Sequence, residues 1–224
     1  MNKVLNFVKL DFITIKPYLT WKNMLILIFV TFVLAYSNDS DSFSMGTTIM
    51  FGALYVSYPF AVGEQNGIDA LYATLSITRS TVVLGRYLFA LTLNICSGLL
   101  AYIMNFVLSV VLKRDTNHAE VLMVIVAILA VYTVVQAFQI PMYFKMGHAK
   151  AKFAAYLPLA ALPLGVIAIS SVMNKAGDIN ALSEVLLWVS ENPIIVSIIC
   201  MVVWVAVMVM SYRISLSFYK KREF

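Results

Sequence analysis

The stretch IIVSIICMVVWVAVMVM, residues 194–210, carries no charge and does not alternate apolar with polar residues. Strands of a membrane barrel alternate, because one face meets lipid and the other the lumen. A run apolar on every side reads instead as a helix surrounded by hydrocarbon or by other helices. Residues 24–36, MLILIFVTFVLAY, have the same character. Together these runs specify an all-α membrane protein.

Working outward gives six candidate spans: Met24–Tyr36, Met45–Val62, Tyr87–Leu112, Val121–Phe144, Phe153–Met173 and Ile194–Tyr212. A helix needs about 20 residues to cross the hydrocarbon layer. The first block is short and is expected to recruit Trp21 and Ser37; otherwise it pairs with the second block as an interfacial hairpin. The fifth contains Pro158 and Pro163 and is expected to be kinked or broken. Composition agrees: 62% of residues are hydrophobic and 12% are charged, where a soluble domain has about a quarter charged. The chain reads as one transmembrane domain, residues 1–224.

Basic residues set the orientation. Thirteen of the sixteen fall on the side of the two termini: Lys3, Lys9, Lys16, Lys22, Arg79, Arg86, Lys145, Lys150, Lys152, Arg213, Lys220, Lys221 and Arg222. Lys113, Arg114 and Lys175 fall opposite. Short cytoplasmic loops retain Lys and Arg, so both termini are expected in the cytoplasm. Spread along membrane flanks, the net charge of +5 suits anionic membrane lipid and calls for no nucleic acid. Cys96 and Cys200 lie inside apolar blocks and imply no pairing. The first 20 residues lack the continuous apolar core and cleavage site of a signal peptide.

Residues 1–20 form a segment of their own. Leu5, Val8, Phe12, Ile15 and Leu19 share one arc of a helical wheel, flanked by Lys9 and Lys16. That pattern suits an amphipathic helix in the membrane interface, bent toward the first span at Pro17. Between the last two spans, residues 174–193 predict a short outer helix with Ile179, Leu182, Leu186 and Val189 on one face.

The loop between spans two and three reads GEQNGIDALYATLSITRSTVVLGRY, Gly63 to Tyr87. A plain helix–helix connection takes about two to eight residues; this one is about three times longer and patterned. Asn66 is a candidate N-cap, and Asp69 sits where a helix dipole favours negative charge. Ile68, Leu71, Tyr72 and Leu75 follow the i, i+3, i+4, i+7 spacing of one helical face. Residues 63–80 thus predict a short amphipathic helix on the cytoplasmic side, with a second helical start at Arg79.

No catalytic constellation is visible. His118 and His148 stand in separate loops, neither with a second histidine at metal-ligand spacing. The spans hold no ionisable residue at mid-depth; Arg86 lies near an inner end, where it can snorkel. Asn94, Asn105, Gln136 and Gln139 are candidate pathway-lining residues, although amides at that depth also join helices. A chain with no midplane charge and no phosphate-binding loop has no energy source of its own.

The stretch Tyr58–Tyr87, YPFAVGEQNGIDALYATLSITRSTVVLGRY, resembles the permease subunits of type-2 ATP-binding-cassette (ABC) exporters, in particular the small permeases of Gram-positive bacteria. Glu64, Gly67, Leu71, Leu75, Ile77, Thr78, Arg79, Val82, Val83 and Tyr87 stand in the places of that family's motif. Ser76 replaces its usual proline and Arg86 its usual lysine. The resemblance implies a six-span permease in the bacterial plasma membrane with an N-terminal interfacial helix. It also implies a coupling helix between spans two and three, in which Glu64, Gly67, Ile68, Leu71, Tyr72, Leu75 and Arg79 meet a cytoplasmic ATPase. Two ATPase copies, which bind the ATP and magnesium, would pair with two permeases, as a homodimer or a paralogous heterodimer. No cofactor is expected in this chain. A lipophilic or amphipathic cargo, such as a membrane-active peptide, antibiotic or lipid, fits the neutral lining. Two other classes are a membrane scaffold or immunity or sensor protein that binds such a peptide without moving it, and a channel or ATP-independent carrier.

In a variant with both native cysteines replaced, Ser76→Cys should react with a membrane-impermeant maleimide in inverted vesicles and not in intact cells. Labelling of intact cells would reverse the orientation.

Overall fold

The computed structural model describes residues 2–37, 42–68, 71–72, 77–151, 153–154 and 192–222. Seven helices order these residues: α1 (Asn2–Ile15), α2 (Trp21–Ser37), α3 (Ser42–Leu54), α4 (Tyr58–Gln65), α5 (Arg79–Leu112), α6 (His118–Met146) and α7 (Pro193–Lys221). Short 3-10 turns, Lys16–Tyr18 and Tyr55–Ser57, join α1 to α2 and α3 to α4. Among the described residues, four segments are long and apolar enough to cross a membrane: Ser42–Gln65, Arg79–Leu112, His118–Met146 and Ile195–Lys221. α1 and α2 make a fifth candidate as a pair bent by 79°. The expected fifth span and the outer helical loop fall on residues 155–191, outside the described residues.

Local chemistry explains the helix ends. Pro17 sits in the turn that breaks α1 from α2, at the bend the sequence predicts. Thr78 caps α5 by accepting from the Thr81 amide at 3.3 Å, and Asn117 caps α6 by accepting from the Ala119 amide at 3.1 Å; both satisfy amides the first turn leaves open. α6 ends at Gly147, whose φ of +76° a side chain would resist.

Facing residues give the helix directions. Asn23 at the start of α2 lies beside Tyr55 at the end of α3. On α3 and α5, Gly52 meets Ser97; on α5 and α6, Asn94 meets Gln136. These neighbours are antiparallel. α6 and α7 are parallel: Thr133 meets Trp204, Ala137 meets Ser211 and Phe144 meets Tyr219. α7 therefore begins at the end of the bundle opposite to the one where α6 stops.

Lipid supplies no hydrophobic force to press helices together, so small residues and polar pairs hold them. A Cβ on Gly52 would overlap Ser97, and one on Gly98 would lie 2.9 Å from a Leu129 methyl. Asn94 and Gln136 bond reciprocally, at 2.7 and 3.0 Å. The Trp204 indole N–H donates to Thr133 at 2.7 Å.

Pro141, inside α6, has no amide to donate to the carbonyl four residues earlier. That carbonyl is Ala137, and Ser211 Oγ of α7 donates to it at 2.5 Å. Tyr87 Oη of α5 lies 2.5 Å from the same Ser211 oxygen and 2.9 Å from Ser215 Oγ. Three helices thus meet where the proline frees a carbonyl. Ser211→Ala should lower the stability of the purified chain by about 1 kcal/mol, read as a fall in Tm, because the carbonyl loses its donor. Ser215→Ala should have a smaller effect, since Tyr87 keeps Ser211. Equal effects would contradict this assignment.

Candidate functional site

α1, the start of α5 and the basic ends of α6 and α7 meet around the loop after α4. α1 buries Phe7, Asp11 and Ile15 at four-residue intervals and rests across the start of α5. Gly85 permits the crossing: a Cβ there would overlap the Phe7 ring. The protein-facing stripe is rotated from the arc the sequence suggests. Leu5 and Leu19 remain exposed, while Val8 and Phe12 pack at the core's edge.

The rotation brings a carboxylate inside. Asp11 Oδ1 accepts from Arg86 Nη1 at 2.8 Å, with the two side chains 1% and 4% exposed. Arg86 Nη2 donates to the Pro59 carbonyl at 3.2 Å, and its guanidinium lies 4.8 Å from the Phe60 ring centre and 5.5 Å from that of Phe7. Arg86 does not snorkel: it ties α1, α4 and α5 together. Asp11 Oδ2 and Arg86 Nε have no partner among the described residues. Burial pushes the Asp11 carboxyl up to about 6, with Arg86 opposing the rise without cancelling it. A buried pair of this kind fixes an arrangement more than it adds stability.

The loop begins where α4 stops. The Asn66 side-chain amide and backbone N–H both donate to the Val62 carbonyl at 3.1 Å. Asn66 therefore closes α4 and does not open the next helix, and the chain reverses through Gly67 at a φ of +61°. Glu64 belongs to the last turn of α4. Its carboxylate accepts from the Ala149 amide at 3.0 Å, tying α4 to the segment after α6. Gly147 makes room, since a Cβ there would lie 3.0 Å from Glu64 Oε2.

The expected helical face divides in two. Ile68 packs against the core. Tyr72 is buried, edge-on to Phe7 with ring centres 5.1 Å apart. Leu71 is 53% exposed. Leu75 lies outside the described residues. The Ile77 amide returns to the Tyr72 carbonyl at 3.2 Å, and Thr78 then caps α5. Arg79 reaches across to the end of α7, donating to the Tyr219 carbonyl at 3.0 Å and to the Lys220 carbonyl. A cation there satisfies open carbonyls and complements the helix dipole.

The other sequence candidates lie elsewhere. Asn94 and Gln136 bond to each other between α5 and α6, and Gln139 is buried further along α6. Asn105 is buried, and its amide nitrogen has no partner among the described residues. His118 pairs with Tyr102 Oη at 3.2 Å, and His148 stacks on Tyr143 with ring centres 5.6 Å apart. Sequence reasoning missed Asp11, whose signal was its place one turn from Phe7 and Ile15 on an apolar stripe. It also missed Ser211 and Ser215, which an apolar helix hides well.

The described residues form a helical bundle with four to five candidate membrane spans and a long loop at its basic end. The sequence model for ABC-2 family transporter proteins matches residues 6–220, and the chain belongs to that family. It is therefore a transmembrane permease subunit of an ABC transporter, a class that works with an ABC ATPase and normally lacks an ATPase site of its own. No curated protein and no solved structure matches the chain.

The Asp11 shift has a testable sign. Its folded pKa, about 6, lies above the ordinary aspartate value of 3.8. The folded chain thus holds a proton that the unfolded chain releases, so this group's contribution to stability is full below the lower value and falls as pH rises through the upper one. Between pH 4 and 7 the wild type should lose stability relative to Asp11→Asn, measured by thermal unfolding. A flat difference would show that Asp11 titrates normally.

Proposed function

We propose that this chain is the membrane-spanning half of an ATP-driven exporter and that the loop at residues 63–80 is its coupling element. One observation carries the reading: the loop is anchored on both flanks yet presents Leu71 outward. Tyr72 is held by α1, Arg79 by the end of α7 and Glu64 by the segment after α6. A half-exposed leucine on a rigid mount suits a groove on a soluble partner.

In this reading the basic end faces the cytoplasm of a bacterial cell and α1 lies in the inner interface. The 79° bend from α2 is the angle such a helix needs. Six crossings follow if α2 spans and the return between α6 and α7 counts as one. Two ATPase subunits carry ATP and magnesium and draw together on binding nucleotide. The loops follow, and the anchors pass the movement into α1, α5 and α7. Two permease chains, alike or paralogous, enclose the path. The apolar interior suits outward movement of lipophilic or amphipathic cargo, such as a membrane-active peptide, an antibiotic or a lipid.

The full chain, purified from native membranes, should carry an ABC ATPase identifiable by mass spectrometry. Leu71→Asp combined with Leu75→Asp should reduce that recovery at least tenfold while insertion and thermal stability stay unchanged. Undiminished recovery and coupled turnover would refute the coupling role. A wild type carrying no ATPase would favour a scaffold instead.

A further inference from the structure

At the inside of the elbow between α1 and α2 lies a groove of about 210 Å³, walled by α1, α2, α3 and α5. Its lining is almost wholly apolar, with Phe12 and Leu19 on one side and Leu27, Phe51, Leu93 and Leu100 around the rest. The α3 wall runs from Thr48 to Tyr55 and the α5 wall from Leu93 to Leu100, each a rise of about 10 Å. That length lies along part of one extended hydrocarbon chain.

The groove has a polar collar at one end. Asn23 Nδ2 donates to the Tyr18 carbonyl at 2.8 Å, and Tyr55 Oη lies 3.4 Å from the same oxygen. Tyr58 joins them, its ring centre 4.5 Å from that of Tyr18 and 5.3 Å from that of Tyr55. Aromatic clusters of this kind mark the level of lipid headgroups. Lys16 and Lys22 are exposed on either side of the elbow, beside the lining residues Ile15 and Asn23. No acidic residue occurs between positions 12 and 38, and neither lysine forms an ion pair among the described residues.

We infer that this groove is a binding site for one acidic phospholipid of the leaflet that α1 lies against. One acyl chain enters between α1 and α5, and the phosphate-bearing headgroup rests on Lys16 and Lys22. The lipid fills the inside of the elbow and holds α1 at its angle to α2. This goes beyond the exporter reading and does not depend on an ATPase, since it concerns only the chain and its bilayer.

The test uses the full chain in detergent, stripped of lipid and then exposed to phosphatidylglycerol or to phosphatidylcholine with the same acyl chains. Retained lipid is counted by native mass spectrometry, and Tm is recorded alongside. The wild type should retain one phosphatidylglycerol per chain and show a Tm rise roughly twice that given by phosphatidylcholine, as preferential binding to the folded state requires. Lys16→Gln with Lys22→Gln should abolish the difference between the two lipids. Cys96→Phe, which fills the groove from an exposed lining position, should reduce retention of both. Ile95→Phe, on the neighbouring exposed surface outside the groove, should change neither. Equal retention of the two lipids by the wild type would overturn the proposal, as would retention by Cys96→Phe equal to that of Ile95→Phe.

Discussion

Arg86 is the constraint on which the basic end of this molecule is built. A guanidinium cannot be deprotonated in a protein, so burying it obliges the fold to bring it partners. α1 supplies Asp11 and Phe7, and α4 supplies Phe60 and the Pro59 carbonyl. α1 is thereby fixed to α5, and Gly85 is confined to a residue without a side chain. Removing one member of such a pair leaves an unpaired buried charge, which costs about 3–5 kcal/mol, whereas replacing both by apolar residues is often tolerated. The pair therefore determines how the elements meet more than how tightly they hold.

Three anchors flank the exposed Leu71. Phe7 holds Tyr72, the carbonyls at the end of α7 hold Arg79, and the Ala149 amide holds Glu64. The anchors lead to α1, to the end of α7 and to the segment after α6. The Tyr87–Ser211–Ala137 chain repeats the arrangement about two turns further into the bundle.

Much of the fold was legible in the sequence because membrane helices announce themselves. Continuous apolar runs located α2, α3, α5, α6 and α7 to within a few residues at most ends, and Pro17 marked the elbow. The helical start at Arg79 followed from Ser76-Ile77-Thr78. Side-chain pairing was not legible, because a helical wheel shows that α1 has an apolar arc but not which part of it meets protein. Lipid and protein both accept apolar residues, so Phe7 and Leu5 read alike until neighbours are placed. Asp11 disappeared for that reason, and with it the burial of Arg86. Asn66 was misread because the same amide that caps a following helix can fold back on the preceding one, and only the reversal at Gly67 decides between them.

The central claim is that Leu71 stands at the contact with the ATPase while Tyr72 faces inward. The most direct measurement places a photocrosslinking amino acid at 71 in the assembled transporter in native membranes, with Ile13 and Phe138 as exposed comparison positions. The account predicts an ATP-binding-cassette ATPase crosslinked to position 71 and to neither comparison site. The contrary result, no ATPase adduct from 71 or an equal one from Ile13 or Phe138, would contradict it.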